Sequence, residues 1–180
     1  MTSTGFATAD FDKWPPAAKV ILLMLMFIGG CAGSTAGGIK VVRLIILVKD
    51  AGCSLLHAIH PRLVTALKID RKPVDAGILH LVLQFFFLFM LLFFVSVLMV
   101  ASTGVAPFDA MGAVAASLGN VGPGFGIVGP STTYAEMPAF AKAVLTVNML
   151  LGRLELFTLL VLLHPKFWQP YATRRGARLN

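Results

Sequence analysis

Phe27-Ile28-Gly29-Gly30-Cys31-Ala32-Gly33-Ser34-Thr35-Ala36-Gly37-Gly38-Ile39-Lys40 places five glycines and small polar residues inside one membrane-length apolar stretch, Ala17 to Leu47. Lipid cannot hydrogen-bond a non-helical backbone, so such a break is tolerated only inside protein or beside a water-filled path. Helices broken at mid-membrane are typical of proteins that move ions or small solutes. The stretch therefore predicts an all-α integral membrane protein that forms part of a transport pathway.

Working outward, two more runs can span: Ile78 to Ala101, without a charge, and Ala139 to Leu163, which carries Arg153 and Glu155. Between them Pro107 to Leu118 is apolar and Ala-rich but only about 18 Å long as a helix, too short to cross. Pro107 and Asp109 suit its first turn, and Gly119-Asn120-Val121-Gly122-Pro123-Gly124-Phe125-Gly126 follows it. A half-helix followed by a glycine-rich return strand reads as a re-entrant pore loop; an interfacial helix with a plain loop is the alternative.

The composition agrees, with 57% hydrophobic residues against 13% charged ones. The net charge of +7 comes from residues flanking apolar runs, which fits a membrane orientation signal and not a nucleic-acid-binding face. Lys49, Arg62, Lys68, Arg71 and Lys72 fall in one connection, and Lys166, Arg174, Arg175 and Arg178 in the tail. Ser102 to Pro138 has no basic residue, so the pore loop is expected to dip in from outside. Cys31 and Cys53 give no disulfide framework, and no basic leader precedes the first apolar run.

A weak internal repeat is present. Pro15-x-x-Ala18-Lys19 with Met26-x-x-Gly29 recurs as Pro138-x-x-Ala141-Lys142 with Met149-x-x-Gly152. Each copy follows a short glycine-bearing strand, Thr2-Ser3-Thr4-Gly5-Phe6 or Asn120-Val121-Gly122. A potassium filter replaces the hydration shell with inward-pointing backbone carbonyls, a geometry glycine permits. The repeat aligns Gly30 with Arg153 at similar depth. An arginine deep in a span needs carbonyl partners or a wet cavity, so Arg153 is expected to reach the Gly29 to Gly38 loop and narrow the path there. Pairing with Glu155 is disfavoured, because residues two apart on a helix diverge by about 200°. Lys40 and Arg43 share a helix face; snorkelling to the cytoplasmic interface is expected, with lining of the inner mouth as the alternative. His80, Gln84 and Asn148 suit interhelical hydrogen bonds better than ion ligation.

Several patterns lack their context. Gly124-Phe125-Gly126-Ile127-Val128-Gly129 matches a dinucleotide pattern but meets Pro130 instead of a helix start. His57-x-x-His60 has no supporting ligands for zinc, and no nucleophile–base or paired-carboxylate cluster suggests an enzyme.

Gly29-Gly30-Cys31-Ala32-Gly33-Ser34-Thr35-Ala36-Gly37-Gly38-Ile39-Lys40-Val41-Val42-Arg43 closely resembles the signature of bacterial Trk-type potassium uptake proteins, within the Trk/Ktr/HKT superfamily. Thr4-Gly5-Phe6, Asn120-x-Gly122-Pro123-Gly124 and Gly152-Arg153-Leu154-Glu155 look like further motifs of that family, in order. The resemblance implies four helix–pore-loop–helix repeats around one potassium pathway. This chain would hold the end of repeat three (1–57), a cytoplasmic connection (58–77), all of repeat four (78–163) and a cytoplasmic tail (164–180).

By that match Ser3, Thr4, Gly5, Asn120, Val121 and Gly122 would supply filter carbonyls. Gly29, Gly30, Gly33, Ser34, Thr35, Gly37 and Gly38 would form the gating loop, with Arg153 as its partner. Ser3 stands where the family usually has threonine. The resemblance further implies residence in the inner (plasma) membrane, a homodimer, a cytoplasmic nucleotide-binding regulatory subunit, and potassium as transported ion without a cofactor. Two of four filter strands are not in the sequence, so a fragment unable to conduct alone is expected. A non-conducting membrane assembly subunit, with the glycines serving helix packing, is the competing expectation.

Overall fold

The computed structural model describes residues 4–31, 33, 34, 36–60, 68, 69, 72, 73 and 75–154. Ser3, Thr35, Glu155 and the 164–180 tail, each with an expected role, lie outside the described residues.

The first helix, α1, is Pro16–Phe27, with Pro16 in the first turn, where its missing N–H is an orphan anyway. Gly29 and Gly30 follow, and helix propensity is lost there. Ile28 turns extended and pairs in parallel with Ile39. Gly29 N–H donates to the Ile39 carbonyl at 2.8 Å, Ile39 N–H to Phe27 at 3.0 Å, and Val41 N–H to Gly30 at 3.3 Å. The break is thus stapled at its two ends by main-chain hydrogen bonds, which lipid could not supply.

The second helix, α2, is Val41–Ile59. It runs past Leu47, where the apolar reading ended the span, and past the boundary at 57. Val48, Leu55, Leu56 and Ile59 keep the segment compatible with a helix, and no proline intervenes before Pro61. A two-residue hairpin pairs Lys68 with Pro73 and Ile69 with Lys72.

The third helix, α3, is Ala76–Ala101, starting two residues before the expected Ile78. Within it Gly77–Ala101 is, among the described residues, the one helical segment long and apolar enough to cross a membrane by itself. Val82, Phe85, Phe89, Phe93, Ser96 and Val100 are buried, a 3.6-residue stripe, while Phe87, Phe94 and Leu98 face outward.

The fourth helix, α4, is Pro107–Leu118, and the fifth, α5, is Ala139–Arg153. All of α4 from Gly112 onward is buried, with α1, α3 and α5 packed around it. Lipid is as apolar as leucine, so burial of apolar area cannot hold such helices together; close packing of small residues can. That accounts for Gly112-Ala113-Val114-Ala115-Ala116-Ser117. Phe125, fully buried, lies where a Cβ on Gly112 would be 2.6 Å from its ring. Asn148 on α5 accepts a hydrogen bond from Ser96 of α3 at 3.0 Å, while His80 and Gln84 lie on exposed parts of α3.

Candidate functional site

The two glycine-bearing strands meet. A Cβ on Gly5 would stand 3.3 Å from the Val121 carbonyl oxygen, and one on Gly122 would stand 3.2 Å from Gly5 Cα. Gly5 has φ +77° and Gly122 φ +109°, conformations that suit glycine, and Asn120 is left-handed at φ +50°. The second strand leaves α4 through Asn120 N–H to Ser117 (3.1 Å) and Val121 N–H to Ala116 (2.9 Å). The Asn120 side chain then donates to the Met149 carbonyl of α5 at 3.3 Å. Tyr134, in a short turn at Tyr134–Glu136, donates its hydroxyl to the Gly122 carbonyl at 2.8 Å. Burial pushes the Tyr134 phenol up, which keeps it a donor.

The glycine loop packs against the end of α4, beside Gly119 and Asn120. A Cβ on Gly37 would be 2.7 Å from the Gly119 carbonyl oxygen and 2.9 Å from Asn120 Nδ2. Gly33 and Gly38 take φ +85° and +77°. Gly30 has no room for a Cβ beside Ser34 Oγ, and Gly29 none beside the Gly37 carbonyl.

Lys40 departs from the expected snorkelling. Its Nζ folds back onto the loop, donating to the Ser34 carbonyl and, at 3.2 Å, to the Ala36 carbonyl. Those carbonyls lie outside any helix, and an ammonium with three donors can serve several at once. Arg43, one turn on, lies over the Phe85 ring at 4.2 Å from its centroid. Lys40, Arg43 and Arg153 line one cavity of roughly 130 Å³ with Ser34, Ala36 and Gly38. Arg153 thus borders the loop together with Lys40 and Arg43, for which lining of the inner mouth was the alternative to snorkelling.

The repeat has a structural counterpart. Lys19 and Lys142 each sit on the fourth residue of a helix preceded by proline, and each reaches back toward the loop before it. Lys19 pairs with Asp12 at 3.6 Å, and Lys142 donates to the Ala135 carbonyl at 2.8 Å. The glycines at 124–129 form a 3₁₀ turn, Gly126–Val128, without a following helix. Among the described residues, His, Cys, Asp and Glu side chains form no cluster of three or more that could hold a metal ion. Asp12, Tyr134 and Ser96 were not legible as site or core partners from spacing, since each partner lies far along the chain or in an irregular loop.

A buried half-helix, a glycine strand returning from its end and a glycine loop breaking a neighbouring helix define a helical integral-membrane segment. The chain belongs to the TrkH family of cation transport proteins, whose pattern it matches over residues 1–170. It is 45% identical over 168 residues to the Trk system potassium uptake protein TrkH of Escherichia coli K12, and 44% to that of Halomonas elongata. In both cases the match covers 93% of this chain and 34% of the relative, so the chain spans about a third of their length. The crystal structure of the potassium transporter TrkH from Vibrio parahaemolyticus superposes with a TM-score of 0.84 at 43% identity, covering 93% of this chain and 36% of that one.

Proposed function

We propose that this chain supplies two filter strands and the gate of the potassium pathway of a Trk-type uptake system in the inner (plasma) membrane. The observation that carries the reading is the contact between Gly5 and Gly122, both with positive φ, together with the packing of Gly37 against Gly119 and Asn120 just before the second strand. Carbonyls of Thr4, Gly5, Asn120 and Val121 would replace part of the hydration shell of potassium, and two further strands would complete it. The loop, latched by Lys40 and bordered by Arg153, would block the path below. A homodimer and a cytoplasmic nucleotide-binding regulatory subunit belong to the same proposal, on the family resemblance.

The test is potassium flux in vesicles, with this chain grafted in place of the matching third of the Vibrio parahaemolyticus transporter. Gly122→Ser strains the φ of +109° and is expected to lower potassium-over-sodium selectivity about tenfold or more. Arg153→Ala is expected to raise leak. Unchanged behaviour of both would favour a packing role for the glycines. Tyr134→Phe, which removes one neutral hydrogen bond of roughly 1 kcal/mol, should lower selectivity only about fivefold. Its pH dependence has a fixed sign: the raised phenol pKa holds the bond throughout the neutral range, and the bond is lost only as pH rises through that raised value.

A further inference from the structure

We propose that Asp12 is a positioning residue for ion selection, tying the outer mouth of the first pore unit to that of the second. The inference rests on the filter reading above and names what holds the two strands at their spacing.

Asp12 lies in the 3₁₀ turn Phe11–Lys13, shortly after the Thr4-Gly5 strand. Both carboxylate oxygens accept from the Gly126 N–H, at 3.1 and 3.0 Å, and Gly126 lies just beyond the Asn120–Gly122 strand. The fit is close: Gly126 adopts φ +59°, and a Cβ on Gly129 would fall 2.1 Å from Asp12 Oδ2. Behind the carboxylate stands Lys19 Nζ at 3.6 Å, both side chains three-quarters or more buried. Asp10 caps the turn by accepting from Asp12 N–H at 3.2 Å, and Phe11 meets Phe125 edge-on at 5.6 Å. Consecutive residues of one turn therefore hold the second unit's outer loop by a charge-assisted hydrogen bond and an aromatic contact.

The strands approach closely at Gly5 and Gly122, and Asp12 adds a directional hydrogen bond between the segments that follow them. Selection between potassium and sodium depends on the number and placement of coordinating carbonyls, so a tie that fixes both strands fixes the ring they form. A charged acceptor on a backbone N–H is about twice as strong as a neutral one, which suits a tie of this kind. Asp12 touches no ion; it acts through Gly126 and the strand before it.

The experiment uses the grafted transporter, with Cys31 and Cys53 changed to alanine, and reads the ratio of potassium to sodium flux. Asp12→Leu keeps the bulk, removes the acceptor and is expected to lower the ratio about fivefold or more at unchanged protein per vesicle. Asp12→Asn keeps one acceptor and should stay within about twofold. The pair Asp12→Cys with Gly129→Cys replaces the tie covalently. A Cβ at 129 lies 3.2 Å from Asp12 Cγ, close to where the partner sulfur must stand.

Selectivity of that pair should be normal when oxidised and fall reversibly on reduction, which a merely structural residue would not produce. An unaltered ratio in Asp12→Leu, or a low ratio in the cross-linked pair, overturns the inference. If Asp12→Leu never reaches the membrane, the reducible pair decides alone. A graft without substitutions at Asp12 that carries no potassium strikes the functional reading itself.

Discussion

Gly152→Val is expected to remove the folded transporter from the membrane. A Cβ at 152 would lie 2.1 Å from the Leu118 carbonyl oxygen, 2.9 Å from Leu118 C and 2.9 Å from Asn120 Nδ2. The first two are backbone atoms at the end of a helix buried on every side, so no side chain can swing away to make room. Either α5 retreats by more than an ångström or the end of α4 is displaced. Retreat breaks the Asn120 bond to Met149 and separates Asn148 from Ser96, whose amide and hydroxyl are both buried.

Overpacking of this kind costs about 1–3 kcal/mol, and a buried polar group left unpaired adds a similar amount. Stability is only about 5–15 kcal/mol in an ordinary domain, so the sum is a large share of it. The measurement is size-exclusion profile and thermal midpoint in detergent of the grafted transporter. Gly152→Ala should fall between wild type and the valine variant. A sharp peak with an unshifted midpoint for valine would contradict the close packing of α5 on the end of α4.

Some of this architecture is written locally and some is not. The end of α1 follows from Gly29 and Gly30, and the limits of α4 from Pro107 and Gly119, because helix propensity and capping are short-range effects. Pairing Thr4-Gly5 with Val121-Gly122 required the repeat, which carried it across more than a hundred positions. The apolar span was expected to end at Leu47, whereas the broken helix was carried to residue 57, close to its end at Ile59. Lys49 and Asp50 ended the apolar run, but charge stops a membrane span without stopping a helix. The hold of Lys40 on the loop was not legible, because its partners are main-chain carbonyls, which leave no mark in a sequence. The same holds for Tyr134 on Gly122 and for Asp12 on Gly126. Main-chain groups organise this site, so side-chain motifs reveal where it is and little of how it is held.

Lys40→Met is expected to produce the largest change in function, a leak of cations when the pathway should be closed. Lys40 Nζ donates to the Ser34 and Ala36 carbonyls, which belong to the bulge between the stapled strands at Ile28 and Ile39. Hydrogen bonds from a charged donor contribute roughly 1.5–3 kcal/mol each, and methionine of similar length supplies none. Losing even one of them would move a closed-to-open equilibrium by about 10- to 100-fold.

The position of Lys40 adds to the effect. It is the residue immediately before α2, so any displacement of that helix carries the ammonium with it and withdraws the latch from the loop. Lys40→Arg keeps the charge and several donors and should leak far less. Because Lys40 and Arg153 line the same cavity, the double variant should leak less than the two single effects combined would require. Potassium efflux from loaded vesicles at zero membrane potential provides the readout. Equal efflux from Lys40→Met and wild type would show that the loop keeps its shape without the lysine, and the gate would then have to be sought at Arg153 alone.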